Sequence, residues 1–264
     1  MKNRRTWRGL TLVELLAVIA IVAILAALLL AGLARAKDNA ERKLCASNLR
    51  QWGVALAAFA NDNDNCFPDN RDGAAVSWCG TNVQAFWTHY LVPLVRTRAE
   101  INQEFHVLFC PTAKWHRGAD LLPPHPNDYG TQVAVGYFYL PYRDPAFAMN
   151  VSHRSDFNVT GVQGWVEKQR LGGPLTKAPI AMDEKQAIGD IASDPTAMQW
   201  FGVYGLGDAP DARTPFSSHI QSSGEPFGGN FLFEDAHVSW HKTRQIEPAM
   251  TLDHWVAYYK IPVE

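Results

Sequence analysis

Twenty consecutive residues, Leu15–Ala34, carry no charge and no strongly polar group. As a helix rising 1.5 Å per residue they reach about 30 Å, the thickness of a bilayer's hydrocarbon core. Lys2, Arg4, Arg5 and Arg8 precede the run. By the positive-inside rule they stay cytoplasmic, and the bulk of the chain crosses the membrane. One residue breaks the pattern. Glu14 stands at the start of the span, where a charge costs less than the roughly 2.5–3.5 kcal/mol of a helix centre but still needs a reason.

Three readings of this segment compete. A cleaved secretory signal would use Ala34-Arg35-Ala36 as its site, but the apolar run is longer than such signals carry and it follows Glu14. A plain signal anchor explains the span and its orientation, not the carboxylate. The third reading rests on Arg8-Gly9-Leu10-Thr11-Leu12-Val13-Glu14-Leu15-Leu16. This stretch resembles the leader of type IV pilins and type II secretion pseudopilins. The resemblance implies cleavage between Gly9 and Leu10 by a prepilin peptidase, with N-methylation of Leu10, where most members have phenylalanine. It also implies a partner for Glu14: the new α-amine of Leu10 on a neighbouring subunit, so that Glu14 sets axial register during assembly. The bland alternative is a carboxylate that reaches the interface without a partner.

The helix is expected to continue beyond the span. No proline occurs before Pro68, and Ala34–Ala60 is rich in good helix formers. Cys45, Leu49, Trp52, Leu56 and Phe59 recur at steps of 4, 3, 4 and 3, which places them on one face. Leu10–Ala60 is therefore read as one helix of about 75 Å, with Gly32 and Gly53 as weak points. The Asn61-Asp62-Asn63-Asp64-Asn65 run ends it, because these side chains compete for their own backbone.

From residue 61 onward, proline, glycine and aromatic residues dominate. Trp87–Arg98 reads as a short helix broken at Pro93. Gln132–Leu140 and Pro179–Met182 read as buried strands. Asn230–His241 (NFLFEDAHVSWH) reads as a hairpin around Asp235-Ala236. That register sets Phe233 opposite Val238 and Phe231 opposite Trp240, giving one apolar face and one polar face of Glu234, His237 and Ser239. The stretch also resembles the C-terminal region of prepilin-like proteins named for a His-x9-Asp-Gly motif, through Phe233-x-Asp235-x-His237 and the preceding Gly228-Gly229-Asn230. Cys45–Gln51, Phe109-Cys110-Pro111 and Val135-Gly136-Tyr137 extend the likeness. Two departures stand out: 15 residues separate His219 from Asp235, and Ala236 replaces the glycine.

The four cysteines all lie outside the span, where disulfides can form. Cys45–Cys110 together with Cys66–Cys79 is the favoured pairing, the first stapling the helix to the Phe109-Cys110-Pro111 segment. Buried thiols are the alternative.

Chemistry is sparse. A net charge of -2 with no basic stripe argues against nucleic acid. His237 and His241 would sit about 13 Å apart on a strand, too far for one ion. Asp62, Asp64, Asp69 and Asp72 offer oxygens for calcium, but Cys66 and Phe67 occupy the fifth and sixth positions of an EF-hand spacing, so a solvated acidic turn is preferred and no cofactor is expected. Asp183 and Glu184 follow an apolar strand, a place that suits catalytic carboxylates and turn residues alike. No nucleophile motif or phosphate loop is present, and the chain is not expected to be an enzyme. The tryptophans could stack on sugars, although a core with few long helices also needs them.

The expected architecture is α+β: a pilin-like lollipop whose long helix packs on an antiparallel sheet with large loops. Its parts are a leader (1–9), a membrane or filament-core half-helix (10–34), an amphipathic half-helix (35–60) and an extracytoplasmic domain (61–264). The resemblance implies a minor or specialised structural subunit of a type II secretion pseudopilus or type IV pilus, in the inner membrane with its domain in the periplasm or on an extracellular pilus. Its partners would be other pilin or pseudopilin subunits, the prepilin peptidase, the inner-membrane assembly platform and the inner membrane itself, with secreted cargo or glycans beyond. A membrane-tethered glycan- or protein-binding module that never polymerises is the alternative.

Overall fold

The computed structural model describes residues 11–73, 77–91, 107–113, 133–141, 158–159, 168–173, 176–189, 198–200, 215–221, 224–252 and 255–261. The chain divides into two compact units, Met1–Ala40 and Glu41–Glu264. Helix α1 runs Leu12–Asp62, beginning and ending two residues later than the sequence suggests. It is the one described helix long and apolar enough to cross a membrane. Its end has a local cause. Asp64 and Asn65 both take left-handed backbone (φ 51° and 60°), the Asn65 amide donates to the Ala60 carbonyl, and the Asn63 side chain caps the Phe59 carbonyl.

The second unit is α+β. Its strands are β1 (Trp78–Cys79), β2 (Val133–Ala134), β3 (Tyr137–Tyr139), β4 (Asn158–Val159), β5 (Ala181–Asp183), β6 (Gln186–Ile188), β7 (Gly228–Leu232), β8 (Val238–Lys242), β9 (Glu247–Leu252) and β10 (Trp255–Lys260). They pair as β1-β2, β3-β5-β7-β8 and β4-β9-β10-β6, and all these pairings are antiparallel. Helix α2 (Thr81–Phe86) passes into one wider turn at Trp87–Leu91. The rest of the helix expected there, 92–98, lies outside the described residues. The strand expected over Gln132–Leu140 is split in two at Val135-Gly136, where Gly136 bridges Phe109 in parallel.

In the β3-β5-β7-β8 sheet, β3, β5 and β7 are buried and the edge strand β8 is half-exposed, and strand alternation sorts the buried residues. Tyr137, Tyr139, Ala181 and Leu232 join Cys45, Leu49, Trp52 and Leu56 of α1 in one cluster. Their neighbours Phe138, Met182 and Phe231 face the other way, against Ala187, Ile246, Ala257 and Tyr258. The 4-3-4-3 stripe of α1 is thus the helix's buried face, with Cys45, Leu49, Trp52 and Leu56 fully enclosed.

The hairpin register differs from the sequence expectation by one residue. Leu232 pairs with Val238, Phe231 with Ser239 and Asn230 with Trp240. The loop is Glu234-Asp235-Ala236, closed by the Phe233 amide donating to the His237 carbonyl, and Ala236 has φ 63°. A three-residue loop whose last residue is left-handed is the usual alternative to a two-residue turn. The one-residue slip puts Val238 and Trp240 on the face of Leu232 and Asn230 instead of that of Phe231, which dissolves the expected apolar/polar segregation. That segregation assumed a half-exposed hairpin, yet β7 is buried along its whole length.

Gly53 of α1 faces this loop. A Cβ there would meet the Ala236 Cβ at 2.8 Å, Leu232 Cδ1 at 2.9 Å and the Ala236 Cα at 3.0 Å. The glycine therefore serves close approach of helix and turn rather than bending. Gly53→Ala should destabilise the chain by about 1–3 kcal/mol through overpacking. Ala236→Gly in the same chain should recover part of this, since it removes one clash and relieves the left-handed alanine, worth about 1 kcal/mol. Thermal unfolding of the two single variants and the double variant checks it, and additive effects would refute the contact.

Candidate functional site

Two places concentrate polar chemistry. The first is the N-terminal end of α1. Thr11 precedes the helix, and the Glu14 carboxylate accepts from the Thr11 amide and hydroxyl, each at 2.9 Å, while the Glu14 amide donates to Thr11 Oγ1 at 3.2 Å. This is a capping box, Thr-x-x-Glu, which satisfies amides that a helix start leaves bare. The chain itself thus supplies donors to the Glu14 carboxylate. From Leu12 to Leu33 the large apolar side chains are 52–76% exposed within the chain. Gly9 and Leu10 lie outside the described residues.

The second is a buried polar centre between α1 and the sheet. The Cys45–Cys110 disulfide forms, with Cα atoms 4.9 Å apart. Cross-linking residues 65 apart in sequence removes chain entropy worth about 4 kcal/mol. Asn48 Nδ2 donates to the Phe109 carbonyl one residue before the bridge. The other expected bridge is absent: Cys66 and Cys79 are not joined. Cys79 is buried on β1 opposite Val133, whereas Cys66 bridges Arg170 at the end of α1, so the two sit on separate elements.

Asp183 and His219 stand beside the disulfide. Asp183 is two residues beyond Ala181 and so points to the same face of β5, towards α1. Its Oδ2 shares a 2.9 Å hydrogen bond with His219 Nε2 and accepts from the Asn230 amide at 2.8 Å and Asn230 Nδ2 at 2.7 Å. Its Oδ1 is buried with no hydrogen-bond partner. His219 Nε2 also lies 3.5 Å from Cys110 Sγ. The histidine backbone is left-handed, at φ 57°, held by its amide donating to Thr112 Oγ1 at 3.0 Å. Phe227 and Trp240 pack against the ring in T-shaped geometry. A strained, fully buried His–Asp pair against a disulfide is a costly arrangement that its surroundings must enforce. Reading the sequence finds Asp183 only as a strand-end carboxylate and leaves His219 without a partner. The signal was faint: the two are 36 residues apart, and Asn230 entered only as part of Gly-Gly-Asn.

Next along the chain, Glu184 and Lys185 are buried as well. Burial pushes the Glu184 carboxyl well above the usual range. Lys185 Nζ donates to Thr243 Oγ1 at 3.0 Å and lies over the Trp200 and Tyr258 rings. Burial lowers its pKa from 10.5 to about 7, the Glu225 charge partly opposing. Between those values the unfolded chain holds a proton that the folded chain lacks, so this group makes stability rise with pH from about 7 to 10.5. Glu184 works in the opposite sense from its ordinary value of 4.5 upward. The lysine's share is therefore isolated by comparison with Lys185→Met. That variant should be more stable than wild type near pH 6–7, by on the order of 2–4 kcal/mol, with the gap closing by pH 10. Denaturant titrations across this range measure it, and a constant gap would exclude the linkage.

The remaining sequence-derived candidates do not converge. Asp235 accepts from the His237 amide and ring, which holds its carboxyl below the usual range, and Phe233 stacks on the His237 ring at 4.3 Å. These residues shape the exposed hairpin tip. His241 instead meets Ser239 on β8. In the acidic loop, Asp62 accepts from Tyr90, Asp69 pairs with Arg71, and Asp72 accepts from the Thr81 amide and hydroxyl. Asp64 and Asp69 line an open cleft of 430 Å³ together with Phe59, Cys66, Phe86 and Tyr90. Among the described residues, the one group of possible metal ligands is Cys45, Cys110, Asp183 and His219. Comparison with protein-family models, curated proteins and solved structures gives no match.

Proposed function

We propose that this chain is a structural subunit of a pilin-like filament: a pseudopilin or pilin, minor or specialised, cut between Gly9 and Leu10 and assembled through its N-terminal helix. The observation that carries the reading is an apolar helix surface left uncovered from Leu12 to Leu33, beginning at a single carboxylate, Glu14. Apolar area of this extent demands lipid or other helices as cover. A helix moving from one to the other needs a polar feature at its end to set register, since packing between uniformly apolar surfaces is weakly directional. The Arg8-Gly9 junction supports the proposal from the other side, because cleavage there creates an amine four residues from Glu14. The same reading places the second unit in the periplasm or on the filament surface, where a disulfide is stable.

Mass spectrometry of the mature chain, isolated from cells that carry a prepilin peptidase, tests the proposal. The expected N-terminus is Leu10, with one added methyl group. Retention of Met1 would remove the filament reading and leave a tethered binding module. A start beyond Ala36 would make the apolar run a secretory signal.

A further inference from the structure

We infer that Cys45, Cys110, Asp183 and His219 form a zinc site whenever the two cysteines carry thiols. Their four ligand atoms all lie within 4.8 Å of one another and all four residues are buried. A tetrahedral zinc with Zn–S of ~2.3 Å and Zn–N of ~2.05 Å sets sulfur and nitrogen about 3.6 Å apart. Cys110 Sγ and His219 Nε2 are already at 3.5 Å. Nitrogen and oxygen ligands of one ion stand about 3.3 Å apart, and the Asp183 carboxylate already lies beside the ring, its Oδ2 2.9 Å from His219 Nε2. The main adjustment is between the sulfurs, which must part to about 3.8 Å. With Cα atoms 4.9 Å apart, side-chain rotation supplies it.

The second observation pointing to a ligand is the unpartnered Asp183 Oδ1. Asn230 holds Oδ2 with two hydrogen bonds and leaves Oδ1 as a carboxylate lone-pair donor with nothing to bind. Outer-shell bonds of this kind orient ligating carboxylates. The left-handed backbone of His219 turns its ring into the cluster. Two thiolates, an imidazole and a carboxylate select a borderline-soft divalent ion over calcium or magnesium.

The chemistry balances. A dithiol reductant opens the disulfide by exchange and leaves as its own cyclic disulfide, giving two protein thiols. Zinc then replaces the two thiol protons, which pass to solvent, and the His219 ring proton shifts to Nδ1 so that Nε2 can bind. Oxidation by another disulfide reverses both steps and expels the ion. Zinc and disulfide are thus alternative staples of the same two elements.

The test uses the full chain in detergent, reduced with a dithiol, freed of reductant without oxygen and given Zn²⁺ or Co²⁺ alone. One metal per chain should be retained after gel filtration. The cobalt form should show thiolate charge-transfer and tetrahedral d–d bands. The oxidised chain should retain none, and Cys66→Ser should behave as wild type. His219→Ala should weaken binding by more than about 100-fold, and Asn230→Ala by about 10–100-fold. Because Cys45→Ser removes a staple, its folding is checked by circular dichroism, and the cobalt spectrum of wild type stands independently of it. No uptake by the reduced chain, a spectrum without thiolate bands, or uptake lost in Cys66→Ser would overturn the site.

Discussion

Under the proposed filament role, Glu14→Gln chains should be cleaved normally but fail to enter filaments. Glutamine keeps a side-chain oxygen at the third helical position, so the Thr11 amide and hydroxyl retain their acceptor. What it lacks is the charge that would meet a neighbour's α-amine. Each subunit contact repeats along a filament. A loss of even about 1.4 kcal/mol per contact weakens every addition tenfold. Incorporation should therefore fall to background, while membrane fractionation still finds a chain of mature mass. Wild-type filaments under the electron microscope would reduce Glu14 to a capping residue. Glu14→Leu cannot make this distinction, because it removes cap and charge together.

Trp52→Ala will cost the second unit about 4–5 kcal/mol. Truncating a buried tryptophan typically costs 3–5 kcal/mol, about as much as many domains have in reserve. Trp52 sits at the upper end for two reasons. Its ring packs against Phe86, Trp87, Tyr137 and Tyr139, with centroids 6.0–6.4 Å away, so the cavity is walled by rigid aromatic groups that cannot collapse. Its Nε1 also donates to the Val107 carbonyl at 3.0 Å, and that carbonyl loses its donor. Near-ultraviolet circular dichroism during thermal unfolding will show the loss. A change under 2 kcal/mol would mean the neighbouring rings repack.

Local rules found the helix and its faces. The 4-3-4-3 spacing marks the residues of α1 that become buried, because a helix's period is set by its own geometry. Asn63, Asp64 and Asn65 mark its end for an equally local reason. The hairpin shows where local rules stop. Asp235-Ala236 suits a two-residue turn, yet the hairpin closes over three residues with Ala236 against Gly53, on a helix some 180 residues earlier. The polar centre is less legible still. Cys45, Cys110, Asp183 and His219 come from four separated segments, and only the tertiary packing of α1, β5 and the segments carrying Cys110 and His219 brings them together. Sequence can flag each residue type, but not the geometry that gives them common chemistry.

The Cys45–Cys110 bridge has a mechanical consequence. Tension entering the second unit from the N-terminal side reaches Cys45 five residues past the boundary at Ala40. There the covalent path forks: one branch follows residues 46–109, and the other crosses the sulfur bond directly to Cys110. The short branch bears the load. Trp52, the capped end of α1 and the acidic loop all lie on the slack branch, so pulling cannot peel the helix from its sheet one turn at a time. Force passes instead to Cys110 and the sheet-forming strands that follow it, where resistance comes from ladders and side chains yielding together.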